Sequence, residues 1–76
     1  KLFESPDYTC IYAIDVERYS QQLVIEYPNK RLKENFFQVE LKNNEYIIFP
    51  SILKYFFTRN TSNKTNTYLT IAYKTL

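Results

Sequence analysis

Asn44-Glu45-Tyr46-Ile47-Ile48-Phe49-Pro50-Ser51-Ile52-Leu53-Lys54-Tyr55-Phe56-Phe57-Thr58-Arg59-Asn60 is where a turn, a buried strand and a polar stop follow one another most plainly in this chain. Tyr46 to Phe49 is a run of large residues, mostly the aromatic and β-branched types that suit a pleated, half-buried surface. Pro50 has no amide hydrogen to give to a central ladder, so the strand stops there. Leu53 to Phe57 then reads as a second strand leaving in a new direction, and Asn60 opens a polar segment.

Further strands lie on both sides of this stretch. Tyr8 to Val16 alternates so that Tyr8, Cys10, Tyr12 and Ile14 share one face and Thr9, Ile11, Ala13 and Asp15 the other. Both faces are partly apolar, which places this strand in the middle of a sheet. Glu17 to Gln21 is a loop or a single helical turn, and it leads to a strand from Gln22 to Tyr27 closed by Pro28-Asn29. Lys30 to Asn35 reads as an exposed connection. Phe36 to Leu41 alternates with Phe37, Val39 and Leu41 on one side, and Lys42 to Glu45 is the length and composition of a tight hairpin into Tyr46. Thr58 to Thr67 is polar and turn-prone, and Tyr68 to Tyr73 is the last strand. Six short strands without a persuasive helical period make the chain all-β, a sandwich or barrel.

The composition limits the functions open to it. A chain of 76 residues is at most one domain, and at this size about 60% of the unfolded surface is hidden, so its own core is marginal. With 45% hydrophobic and 18% aromatic residues it is not disordered, yet it has no glycine. Asparagine, the residue next best suited to left-handed backbone angles, therefore takes the turns at Asn29, Asn43, Asn44, Asn60 and Asn63. Ten basic and eight acidic residues give a net charge of +2, too balanced to mark a nucleic-acid or membrane surface. A single cysteine and no histidine leave no internal disulfide and no zinc or haem set, which fits a reducing, cytoplasmic or intracellular setting, a virion assembly included. No run approaches the length of a membrane span, and no signal-peptide pattern opens the sequence.

The central stretch resembles the segment G-D-L-V-L-F-P-S-W-L-x-H-x-V-x-P-N of the putative 2-oxoglutarate and Fe(II)-dependent oxygenases, in which Asn44, Phe49, Pro50, Ser51, Leu53 and Asn60 hold the corresponding places. Thr9 to Ile14 is similar to the family's S-G-V-Y-Y-L strand, and Tyr68 to Lys74 to its R-I-S-I-A-F-N strand, so the likeness spans most of the chain. The resemblance implies a jelly roll, the cupin-like double-stranded β-helix, either as one domain over residues 1–76 or as the C-terminal portion of a larger one. It also implies where the iron and 2-oxoglutarate ligands belong. Tyr55 stands at the place of the distal histidine and Tyr68 at that of the arginine that holds 2-oxoglutarate. A phenol is a poor ferrous ligand near neutral pH, because its pKa lies about three units too high. Both are degenerate ligand positions, and no catalytic, cofactor or metal residue is assigned.

Other candidate sites are weighed on chemistry. Glu4, Asp7 and Asp15 are spread over a lead-in and a strand end, and a solvated surface is the simpler reading of them than a carboxylate metal site. Cys10 has no histidine to activate it, and reads as a buried structural thiol. Tyr8, Tyr12, Tyr46 and Tyr55 with Lys30, Arg31, Lys33 and Arg59 could stack single-stranded nucleic acid, but filling a small β core is the favoured use of the aromatics. Asn60-Thr61-Ser62 and Asn63-Lys64-Thr65 match the glycosylation pattern and read as a polar loop. Strands apolar on both faces, and a first strand with no proline or inward lysine to guard it as an edge, call for a cover. The expected function is a non-catalytic jelly-roll structural or protein-interaction module with a protein partner or a second copy. Its alternatives are part of an active oxygenase whose ligands come from elsewhere, and a small barrel binding single-stranded nucleic acid.

Overall fold

A computed structural model describes residues 6–27 and 35–75. The strands are β1 (Tyr8–Asp15), β2 (Leu23–Glu26), β3 (Phe36–Val39), β4 (Tyr46–Pro50), β5 (Lys54–Phe57) and β6 (Thr67–Tyr73), with no helix among the described residues. They form two antiparallel three-stranded sheets, ordered β4-β1-β6 and β3-β2-β5. All six expected strands are present within a residue or two of their expected bounds. Glu4, Pro28, Asn29, Lys30, Arg31 and Lys33, for which the sequence raises expectations, lie outside the described residues.

β1 is central, as its doubly apolar pattern requires, and its odd residues face the second sheet. Ile11 and Ala13 have no exposure, and with Val16, Leu23, Ile25, Leu41 and Phe49 they make the core. From the facing sheet Leu23 and Ile25 point in, and opposite them on their neighbours stand Val39, Phe37, Phe57 and Tyr55. Pro50 is tolerated because β4 is an edge strand.

Lys42 to Glu45 is not a hairpin. β3 pairs with β2 and β4 with β1, so these four residues carry the chain from one sheet to the other. The Asn44 amide donates to Ala13 O at 2.8 Å and the Ala13 amide to Glu45 O at 2.9 Å, which fastens the crossing to β1. Of the described asparagines expected to supply left-handed turns, Asn44 does so, at φ 70°, whereas Asn43, Asn60 and Asn63 keep negative φ. The second positive φ among the described residues, 61°, falls on Tyr19, which no sequence signal marks. The unguarded strand is likewise not β1 but β6, which pairs on one side only.

Candidate functional site

The antiparallel registers put the even residues of β1 on the side away from the core, each flanked by one residue of β4 and one of β6. Three cross-strand rows result: Pro50, Tyr8, Tyr73; Ile48, Cys10, Ile71; and Tyr46, Tyr12, Leu69. None of the nine carries a charge. Tyr8 stacks on Tyr73 with ring centres 5.8 Å apart, and Tyr12 on Tyr46 at 6.4 Å. The Tyr12 hydroxyl donates to Asn44 Oδ1 at 2.9 Å, so the turn residue also holds a ring on this face.

The face is open. Tyr46 is 60% exposed and Ile48, Leu69 and Ile71 are each nearly half exposed. At 150–250 Å² for each aromatic side chain, these fractions leave roughly 500 Å² of apolar surface, near the top of what a monomer's largest patch shows and well over half of one partner's share of a standard interface. Cys10 sits at its centre, half-buried between Ile48 and Ile71, rather than inside the core as expected. The aromatics are likewise not mainly core filling. The second sheet covers only one face of β1, and the tyrosines occupy the other.

Tyr55 and Tyr68, the two positions at which the resemblance expects ligands, lie on the inner sides of the two sheets, in separate aromatic pairs. Tyr55 stands opposite Ile25 and meets Phe49 edge-on with ring centres 5.4 Å apart. Tyr68 stands opposite Ala13 and lies against Phe57 at 4.4 Å, and its hydroxyl donates to Gln21 Oε1 at 3.2 Å. Burial, and secondarily the Glu40 carboxylate, push the Tyr68 phenol above its ordinary value. This ring stays neutral at physiological pH.

The carboxylates do not converge. Asp7 accepts from the Thr75 amide and hydroxyl at 3.0 and 2.7 Å, and these bonds, with Lys74 nearby, hold its carboxyl below the usual range. Asp15, at the other end of β1, pairs with Lys64 at 2.8 Å, which raises the lysine. Among the described residues no three of His, Cys, Asp and Glu gather. Of the proposed stacking set, Tyr8, Tyr12 and Tyr46 do share the outer face, but Tyr55 is on the inner side of the other sheet and Arg59 lines a groove with Tyr19 and Glu40.

That groove, at the far end of the sandwich, was not foreseen. Its wall is a polar cluster around Gln21, whose Nε2 donates to Thr58 O at 2.8 Å and whose Oε1 accepts from Asn66 Nδ2 at 3.0 Å. The Tyr19 amide donates to Glu40, and the Arg18 guanidinium lies 4.7 Å from the Tyr19 ring centre. Among the described residues no buried polar side-chain atom lacks a partner, so the cluster is a tie between loops. Asn60 of the first glycosylation pattern is also engaged, donating to Lys64 O at 2.8 Å and accepting from Ser62. No described helix is long and apolar enough to cross a membrane. No family model, curated protein or solved structure matches the chain.

Proposed function

We propose that this chain is a non-catalytic jelly-roll module, related in form to the 2-oxoglutarate and Fe(II) oxygenases, that works by binding protein through the outer face of the β4-β1-β6 sheet. The observation that carries the reading is the uncharged three-by-three apolar grid on that face. Its occupant is an apolar protein surface. A phosphate backbone needs cations along its track, and none stands among the nine grid positions. Tyr55 and Tyr68, each engaged with another ring, support the absence of iron chemistry.

The strand order supports the jelly-roll form. β1 pairs with β4 and β6, and β2 with β3 and β5, so the chain runs as a doubled ribbon wound across two sheets. The test is light scattering of the protein from its source, compared with the mass of its own polypeptide, together with Fe(II) binding and 2-oxoglutarate turnover. The reading expects a particle heavier than the polypeptide, reduced to the polypeptide mass by Ile71→Asp, and no turnover. A monomer at the polypeptide mass, or stoichiometric Fe(II) binding with turnover, overturns it.

A further inference from the structure

Among the described residues two sheet edges on one side of the sandwich carry no further strand, the edges of β5 and β6. That they share a side follows from Phe57 on β5 lying against Tyr68 on β6, while β3 and β4 approach each other across the opposite side through Val39 and Ile47. The β6 edge is the unprotected one. Thr67 to Tyr73 holds no charge, proline or glycine, whereas β3 and β5 have only four residues each and β4 ends in Pro50. The β6 ladder has one irregularity, a register shift that leaves Ile14 of β1 unpaired between Tyr68 and Thr67, and from Tyr68 to Tyr73 the edge is regular. Native edges of this length are otherwise blunted by charge, proline or a bulge, because an open strand recruits another strand.

The core is also uncovered there. The beginning of β5 packs beneath β4, through Tyr55 on Phe49, and its end beneath β6, through Phe57 on Tyr68. The β5 sheet therefore runs diagonally under the other, and the core-side residues Thr70 and Ala72 of β6 are exposed. One more strand on the edge of β5 would lie beneath them.

We propose that this open side is completed by two antiparallel strands that precede Lys1 in the intact protein, the first added to β6 and the second to β5. Chain direction selects that source. The Ser51 amide at the end of β4 donates to Asp7 O at 2.9 Å, and a tight turn closed by the Leu53 amide on Pro50 O leads straight into β5, so β5 begins a few residues from the entry to β1. A strand antiparallel to β5 finishes at that point and can hand the chain directly to β1. At the other end, Gln21 joins Thr58, just past β5, to Asn66, just before β6. A strand antiparallel to β6 finishes there, where its successor along β5 must begin. Two strands joined in that order need about 20 residues with their turns, and they make two four-stranded sheets, the eight strands of a jelly roll. A second copy or a strand from another protein would close the edge of β6 without using the entry to β1.

This inference rests on the jelly-roll form proposed above but not on the absence of catalysis. The test is the intact mass and N-terminal sequence of the protein from its source, followed by amide hydrogen exchange of Thr67 to Tyr73 within it. The expected result is a polypeptide extended on the N-terminal side of Lys1, with β6 amides exchanging as slowly as those of β1. A 9.2 kDa polypeptide beginning at Lys1, single or paired with a copy, overturns the proposal. So does a longer polypeptide whose β6 amides exchange at the rates of an open edge. Iron-dependent turnover by an extended polypeptide would sink the functional reading and leave this one standing.

Discussion

Replacing Ile11 with alanine should cost this protein a large share of its stability, while the same change at Ile71, on the neighbouring strand β6 and the opposite face of the sheet, should cost little. Ile11 has no exposure and lies at the centre of the core, whereas Ile71 is 44% exposed on the outer face. Ile→Ala removes three carbons, which at about 0.8 kcal/mol per buried methylene is about 2.4 kcal/mol, and the cavity left behind brings the loss to about 3–4 kcal/mol. A chain of 76 residues has a total stability of about 4–11 kcal/mol, so Ile11→Ala removes from about a third to nearly all of it. At Ile71 a smaller area is lost and no closed cavity forms, so the cost is about 1 kcal/mol. Urea unfolding followed by far-ultraviolet circular dichroism reads both. With a slope of about 1 kcal/mol per molar urea, the Ile11 variant shifts the midpoint by about 3 M and the Ile71 variant by about 1 M. Equal costs at the two positions would refute the reasoning, because they would mean that the outer face is already packed within this chain.

Other outcomes follow from single contacts. Asn44→Ala should lose about 1–2 kcal/mol, from the left-handed backbone and the Tyr12 hydroxyl bond together, while Asn44→Gly loses less; chemical denaturation of both variants separates the two terms. Gln21→Leu should cost about 1–3 kcal/mol by removing the partner of the Tyr68 hydroxyl and of the Thr58 carbonyl, while Asn66 keeps its bonds to Ser20 and the Glu17 amide, and a value near zero would mean that water replaces the amide. Because the folded-state value of Asp7 is depressed, its contribution is present above the unfolded value of 3.8 and disappears as pH falls through the folded one. Asp7→Asn should therefore flatten the acid limb of a melting-temperature profile. Tyr68 has the opposite sign: its folded value is raised above 10.0, so the stability it adds is complete below that pH and is lost as the phenol ionises. A phenolate absorbance titration should show one tyrosine ionising late, and Tyr68→Phe should remove that step.

The strands were legible because each is a short run whose residues alternate or cluster by type. The alternation of Tyr8 to Asp15 gave both the face and the central place of β1. What alternation does not carry is which face is covered. Tyr8, Cys10 and Tyr12 are as apolar as Ile11 and Ala13, so the outer grid read as core until the second sheet was seen to lie on one side only. Lys42 to Glu45 misled for a related reason, since four polar residues suit a turn back within a sheet and a step across to another equally well. The choice is made by distant contacts, namely the bonds of Asn44 and Glu45 to Ala13. Tyr19 was invisible because its left-handed backbone is held by Glu40, remote in sequence, and not by any property of tyrosine. The ring partners of Tyr55 and Tyr68, Phe49 and Phe57, emerge only from the packing of one sheet on the other.

The chain carries its own reporter for the central claim that protein covers the outer face. Cys10 is its one cysteine and stands in the middle row of the grid, half-buried between Ile48 and Ile71. The decisive measurement is the rate at which a small thiol reagent modifies Cys10 in the protein as purified from its source and in the same polypeptide diluted to its own mass, read from the mass of the Cys10 peptide. If the face is covered, labelling in the protein as purified is slower by an order of magnitude or more, because the reagent must wait for the cover to open. Equal rates in the two preparations would contradict the account, since the apolar grid would then face solvent in the working protein.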